Sequence, residues 1–548
     1  MPHPLAQLRL RSGALLRTKS IEQSLTDADE PGYRLNKTLT AFDLTVFGVG
    51  VIIGSGVFIL TGRVANDIAG PAVVLSFVLA AVCCALAAMC YAEFASTVPS
   101  SGSAYTFSYA ALGEVFAWII GWDLILEFLV AASVVAQGWS AYFGVFLDNL
   151  AGLTGDQHLL PRLVAYGATI DVPAMAVVVA MGALISVGIK ASMRVNLVLV
   201  GVKLFVVVFV VAAGIGFINP ANWSPFIPDA CEVGAAGCPS GTPNTPGLAQ
   251  PLIQWISSLF SDAAPTAFGP GGVVAGASMV FFAYIGFDVV ATTAEETKDP
   301  KRNVPIGIIA SLAICTVLYC AVSLVVTGMV HYDNLSRDGA LASAFADVGE
   351  GWMATVIAAG AIAGLCTVTL TLLIGLTRLI FAMCRDNLLP LRLAKVHPTT
   401  RSPWVIVAIV TVVCALVAGL TPIIVLEEMV NIGTLAAFVL VSIAVLVLRK
   451  KRPDLHRPFR VPGAPVVPIL SALVGLYLMA YLSVETWIRF HVWFVIGLVI
   501  YFGYSFRHSR VGTGKGLGPS VLGPSVLDPS VPDPSDAPAS ELAGVGVR

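Results

Sequence analysis

Residues 47–58 read FGVGVIIGSGVF. Four glycines, Gly48, Gly50, Gly54 and Gly56, stand in the middle of an apolar run long enough to be a membrane helix. Glycine costs about 1 kcal/mol relative to alanine in a helix interior. Two readings compete. Either the glycines let a neighbouring helix pack closely, as in small-xxx-small seams, or the helix is broken here. A break in mid-membrane frees backbone N–H and C=O groups, each costly unless protein, water or ligand meets it. Freed N–H groups at a half-helix N-terminus suit a carboxylate. Freed carbonyls suit an ammonium group or a cation, and a zwitterion uses both.

The rest of the chain supplies the membrane. Of its 548 residues, 57% are hydrophobic and only 12% charged, about half the charge of a soluble domain. Apolar runs near 42–62, 72–96, 114–147, 173–189, 194–218, 272–296, 304–330, 353–384, 404–421, 427–448, 466–484 and 487–506 predict an all-α integral membrane protein with 12 transmembrane helices. With the N-terminus inside, the basic clusters Arg9 to Lys37, Lys190/Arg194, Lys298/Lys301/Arg302, Arg385 to Arg401 and Arg449 to Arg460 all fall on the cytoplasmic side. Both termini are therefore expected in the cytoplasm and the protein in the plasma membrane. Residues 1–40 read as a cytoplasmic tail, 41–508 as the transporter domain with a long external loop at 219–270. Residues 509–548, with GPSVLGPSVLDPSVPDPSD, read as a disordered Pro/Ser/Gly-rich tail.

The net charge of −2 gives no sign of nucleic acid, and the basic clusters border helices as topology signals. No HExxH, CxxC, P-loop or GxSxG occurs, so no metal, cofactor, enzyme activity or ATP drive is expected. Most of the ten cysteines lie in spans and read as small apolar residues. Cys231 and Cys238 share the external loop, where a disulfide and two free thiols are both open readings.

A weak internal symmetry sharpens the break reading. Span 6, five helices after span 1, carries FFAYIGFD (281–288) after GPGG (269–272), read as a loose start. Glycine-interrupted segments in corresponding positions of two halves point to discontinuous helices 1 and 6 at a midplane site. Two halves of five helices must have opposite topologies, which makes a five-plus-five inverted repeat followed by helices 11 and 12.

Five ordered segments resemble the amino acid–polyamine–organocation transporter superfamily, most closely its bacterial cationic amino acid transporter branch. They are GVGVIIGSGVFILTG (48–62), GIKASMRVNLVLVGVKLFVV (188–207), FFAYIGFDVVATTAEETKDPKRNVP (281–305), TRLIFAMCRDNLLP with KVHPTTRSPW (377–390, 395–404), and NIGTLAAFVLVSIAVLVLRKKRPDLHRPFRVPG (431–463). The resemblance implies a LeuT-like fold and transport of amino acids or amines. It reaches neither the C-terminal tail nor the long loop 219–270.

The charges inside the spans are few: Asp123, Glu127, Lys203 and Asp288. Such charges are expensive and usually functional, whereas Glu93, Arg378 and Arg489 lie nearer span ends, where long side chains snorkel. Lys203 lies roughly 15 Å into span 5 at about 1.5 Å per residue. The resemblance implies that it contacts broken helix 1 in place of a sodium ion and couples transport to protons; a static tether is the alternative. Asp123 and Glu127 share one helix face, and Glu127 is open to pairing with Lys203, with a substrate cation or with a proton. Asp288 is open between capping the second half of helix 6 and a proton-linked role. By the same resemblance Ile53, Gly54, Ser55, Gly56 and Val57 meet a substrate α-carboxylate. Ala283, Tyr284 and Ile285 offer carbonyls to its α-ammonium group, and Phe282 is a candidate gate. Ser55 stands where relatives often carry threonine. Glu295 and Glu296 face Lys298, Lys301 and Arg302 either as an inner-gate network or as a solvated loop. The expected function is proton-coupled uptake of L-amino acids by alternating access, with an amino acid or polyamine exchanger and a non-transporting sensor as alternatives.

Overall fold

A computed structural model describes residues 39–54, 56–97, 103–154, 170–187, 189–232, 250–258, 266–293, 297–337, 339–395, 397 and 403–510. Nearly all of the expected N-terminal and C-terminal tails, and Ser55, Cys238, Glu295 and Glu296, lie outside these residues.

The chain is built from helices. The first, α1 (Ala41–Ile52), starts at a capping box in which Thr40 N donates to Asp43 Oδ2 and Asp43 N to Thr40 Oγ1. After a gap in helical geometry, Gly56–Leu60 resumes as a π-helical turn. It leads through further short turns into α2 (Val73–Thr97). There follow α3 (Ser103–Ala111), α4 (Glu114–Thr154), α5 (Val172–Val187) and α6 (Ile189–Gly214). The second discontinuous segment comprises α7 (Gly269–Val280), a 3-10 turn (Phe281–Tyr284) and α8 (Phe287–Thr292). The remainder is α9 (Pro300–Met329), α10 (Ala340–Asp347), α11 (Gly351–Arg385), α12 (Trp404–Leu420), α13 (Ile423–Lys451), α14 (Val466–Met479) and α15 (Val484–Ile500).

Among the described residues, eight helical segments are long and apolar enough to cross a membrane. Four shorter apolar helices, Ala41–Ile52, Val172–Val187, Trp404–Leu420 and Val466–Met479, accompany them. Large apolar side chains are bare on the outside of α6, α12, α14 and α15, among them Phe205, Val412, Leu473 and Val492. Only a hydrocarbon surrounding accommodates so many. Inside, α4 packs against α11 and α13, while α9 packs against α1 and α2. The broken segments therefore lie among buried helices.

Two local readings change. Residues 269–272 are the first turn of α7 and not a loose start. Pro270 sits where its missing N–H costs nothing, and a Cβ on Gly272 would strike the carbonyl oxygen of Ile68, so that glycine serves a close approach. Lys190 and Arg194 lie on the first turns of α6, which begins earlier than the apolar run.

The loop after α6 is tied down at three places. Asn219 N and Asn222 Nδ2 donate to Gly328 O of α9 at 2.9 and 2.8 Å. Gly269 N donates to Pro228 O at 3.0 Å, next to an antiparallel pair of two-residue strands, β1 (Cys231–Glu232) and β2 (Thr266–Ala267). Leu252 N donates to Leu482 O and Val484 N to Gln250 O, at the turn between α14 and α15. Cys231 is disulfide-bonded.

Candidate substrate and coupling site

The first break follows from the glycine-rich sequence. Ile53 turns to extended backbone (φ −68°, ψ 97°) and ends α1. The carbonyls on either side of the break are met by side chains, most of them from other helices. Lys203 Nζ of α6 donates to Gly50 O, and also to Thr367 Oγ1 of α11 at 3.0 Å. Tyr319 of α9 donates to Ile52 O at 2.8 Å. Tyr142 of α4 donates to Phe58 O at 2.7 Å, and Thr61 to Val57 O at 2.9 Å. A helix end buried in a membrane requires such partners.

The second break turns on Gly286. Its φ of +117° is strained for any residue with a Cβ. It is also the N-cap of α8, without a side-chain cap; Asp288 lies in the first turn. Gly286 and Gly56 bring the two breaks together. A Cβ on Gly286 would come 2.6 Å from Val51 Cγ1, and one on Gly56 would overlap Ala283. Tyr319 spans both breaks, since its hydroxyl lies 2.8 Å from Ile52 O and 2.9 Å from Ala283 O. Tyr284 turns away and donates to Phe77 O at 3.0 Å, its ring against that of Tyr319.

Of the residues expected at the site, Gly56 and Ala283 meet, and Ser55 lies outside the described set. Ile53, Gly54, Gly56, Val57, Ala283 and Tyr284 are buried, and Phe282 and Ile285 are 6% and 8% exposed. Of the three carbonyls expected to be on offer, Ala283 O already accepts a hydrogen bond. Lys203 is fully buried, and its stem lies on Gly364. Its partners are Gly50 and Thr367; pairing with Glu127 is not the arrangement found.

Glu127 lies in a buried group of carboxyls that includes Asp288, just after the second break. Asp288 and Asp123 lie within electrostatic reach of it, and the hydroxyl of Thr434 faces it without completing a hydrogen bond. Both carboxyl oxygens of Asp123, Oε1 of Glu127 and Oδ1 of Asp288 have no hydrogen-bond partner among the described residues. Buried oxygens in this condition favour a neutral, protonated carboxyl or a ligand that supplies donors.

Sequence reasoning missed several members. Tyr319 and Thr367 carry no charge and follow no spacing rule; only their contacts reveal them. Arg63 and Glu427 form a buried ion pair at 2.8 Å between the helical segment after the first break and α13. Their place at the margins of spans 1 and 10 hid them. Glu93, read as a snorkelling span-end charge, is buried instead. It is held by Arg449, by Arg457 at 3.5 Å and by Val461 N at 2.7 Å. Folding brings the chain after α13 back over it.

A buried meeting of two helix breaks, with a lysine on one of them, defines a helical membrane protein with a central polar site. The model of the family described as amino acid permease matches residues 39–504, and the chain belongs to that family. It is 44% identical to a methylthioribose transporter of Bacillus subtilis over 90% of this chain and 99% of that one. It is also 44% identical to the branched-chain amino acid permease BcaP of Bacillus subtilis, over 91% and 99%. Identity to cationic amino acid transporter 4 of Mus musculus is 31%, over 90% of each chain.

Proposed function

We propose that this protein is a secondary active permease that takes up L-amino acids with apolar side chains, driven by protons. Twelve spans, arranged as two inverted halves of five plus two further helices, alternate access around the paired breaks. The observation that carries this reading is Lys203, a buried cation seated on the carbonyl of broken α1 where a free metal cation would otherwise serve. In this reading the N–H groups around Gly54, Ser55 and Gly56 take the substrate carboxylate. The carbonyls of Ala283, Tyr284 and Ile285 take the ammonium group, and Phe282 closes over both. Glu127 and Asp288, with their unpaired oxygens, exchange the proton.

The apolar substrate class rests on Ile53, Val57, Phe282 and Ile285, which offer no charge to a side chain, and on the branched-chain permease among the relatives. A second reading is favoured by the equally similar methylthioribose transporter: a neutral thioether sugar in the same apolar site.

Uptake into liposomes holding the purified protein separates these readings. Labelled L-leucine, L-arginine and methylthioribose are offered with and without an inward proton gradient, to wild type and Lys203→Met. Leucine uptake that follows the gradient and is lost in the variant supports the proposal. Uptake that ignores the gradient or needs internal substrate makes the protein an exchanger. Methylthioribose uptake alone favours the second reading.

A further inference from the structure

The Tyr319 hydroxyl has one proton and faces two carbonyl acceptors, Ile52 O at 2.8 Å and Ala283 O at 2.9 Å. A carbonyl only accepts, so one hydroxyl proton cannot fully serve both at once. The two acceptors belong to different breaks, and one of them, Ala283 O, is a carbonyl assigned above to the substrate's ammonium group. An ammonium group has three donors and arrives at an acceptor that tyrosine already holds. The ring itself is fixed: it is fully buried, packed against Phe77 and Tyr284. The proton, and not the side chain, is what can shift.

We propose that Tyr319 is a positioning residue that stands in for the substrate's ammonium group when the carrier crosses the membrane without substrate. With no ammonium group bound, the hydroxyl bridges the two breaks and keeps both carbonyls from being stranded in a dry interior. When the ammonium group binds Ala283 O, the hydroxyl proton turns fully to Ile52 O. This inference rests on the amino acid reading of the site. It separates two halves of the transport cycle. Return of the unloaded carrier needs the hydroxyl for Ala283 O as well as Ile52 O; the loaded carrier needs it for Ile52 O alone, a loss common to every state, so only the unloaded return is slowed selectively.

The test compares net uptake with exchange in liposomes, using labelled L-leucine and the full chain. Net uptake requires the unloaded carrier to return, whereas exchange against internal unlabelled leucine does not. Tyr319→Phe keeps the ring and removes the hydroxyl. Net uptake is expected to fall about tenfold, the effect of one buried polar group left unpaired, with exchange kept within about twofold. Tyr105→Phe, which removes a buried hydroxyl from Asp386, serves as the comparison and shows no such split. A parallel fall of uptake and exchange in Tyr319→Phe, or no fall in either, overturns the assignment. Absence of leucine flux in the wild type overturns instead the amino acid reading beneath it. Should Tyr319→Phe not fold, 3-fluorotyrosine at position 319 retains the hydroxyl. Its fluorine resonance is expected to move when leucine is added, and an unmoved resonance overturns the proposal.

Discussion

Gly56 and Ala283 meet backbone to backbone, and no side chain fits between them: a Cβ on Gly56 would fall onto the Cα and Cβ of Ala283. The obstacle is main chain, so it cannot rotate away. Gly56→Ala is expected to lose transport and about 1–3 kcal/mol of stability, as overpacked interiors do. Gly201, on α6, has nothing within 4 Å of its would-be Cβ. Gly201→Ala is expected to be neutral or to gain up to about 1 kcal/mol. Thermal melting in detergent together with leucine uptake checks the pair, and equal behaviour of the two variants would count against the contact described.

Lys203 is held from two sides, by Thr367 Oγ1 and by the bare backbone of Gly364. A Cβ on Gly364 would stand 2.8 Å from Lys203 Cβ, at the root of the side chain and not its mobile end. Gly364→Ala is therefore expected to shift the ammonium group off Gly50 O and to weaken gradient-driven uptake as Lys203→Met does. Thr367→Val removes a hydrogen bond to a charged group, about 1.5–3 kcal/mol, and is expected to lower uptake at least tenfold. Thr367→Ser should restore it; a serine variant as poor as valine would show that the hydroxyl alone does not hold Lys203 and that the methyl group is needed too.

The Arg63–Glu427 pair is buried on both sides, with side chains 9% and 1% exposed. Removing one partner breaks a buried ion pair, at a cost of about 3–5 kcal/mol. Arg63→Met and Glu427→Gln are each expected to lower the melting temperature sharply. The double variant should be less damaged than the sum of the singles, because the two side chains are coupled through the pair. Additive losses would mean that the two side chains stabilise the fold independently.

The buried carboxyls Asp123, Glu127 and Asp288 are expected to divide by role. Glu127→Gln and Asp288→Asn should abolish the response of leucine uptake to a proton gradient while leaving exchange measurable. An amide has the shape of a protonated carboxyl but releases no proton. If both variants still concentrate leucine under the gradient, the proton is carried elsewhere.

The membrane class, the break in the first helix and the buried lysine were all legible in the sequence, because each rests on composition or on a residue type out of place. FGVGVIIGSGVF announced a weak helix, and Lys203 announced an expense that a membrane protein does not bear idly. The partners of the break were not legible. Tyr319, Tyr142 and Thr367 are ordinary residues for apolar helices, and which of them meets a stranded carbonyl depends on how α4, α9 and α11 are rotated. The hand-over of Glu93 to Arg449 and Arg457 depends likewise on the chain returning over a helix end. The start of α7 misled because Gly and Pro were read as breakers, when Pro270 begins a helix and Gly272 admits a neighbouring carbonyl.

The loop between α6 and α7 lands on Gly328, on Gly70 and Gly269 through Pro228, and on the turn at Leu482. At its described residues the loop thus belongs to the wall it crosses. A chimera that replaces this loop without its anchoring residues would leave Gly328 O without Asn219 and Asn222, and Leu482 O without Leu252. Swapping this loop is a transplant of three docking points as well as of a sequence, and a loop-exchange experiment on this protein has to move all three together.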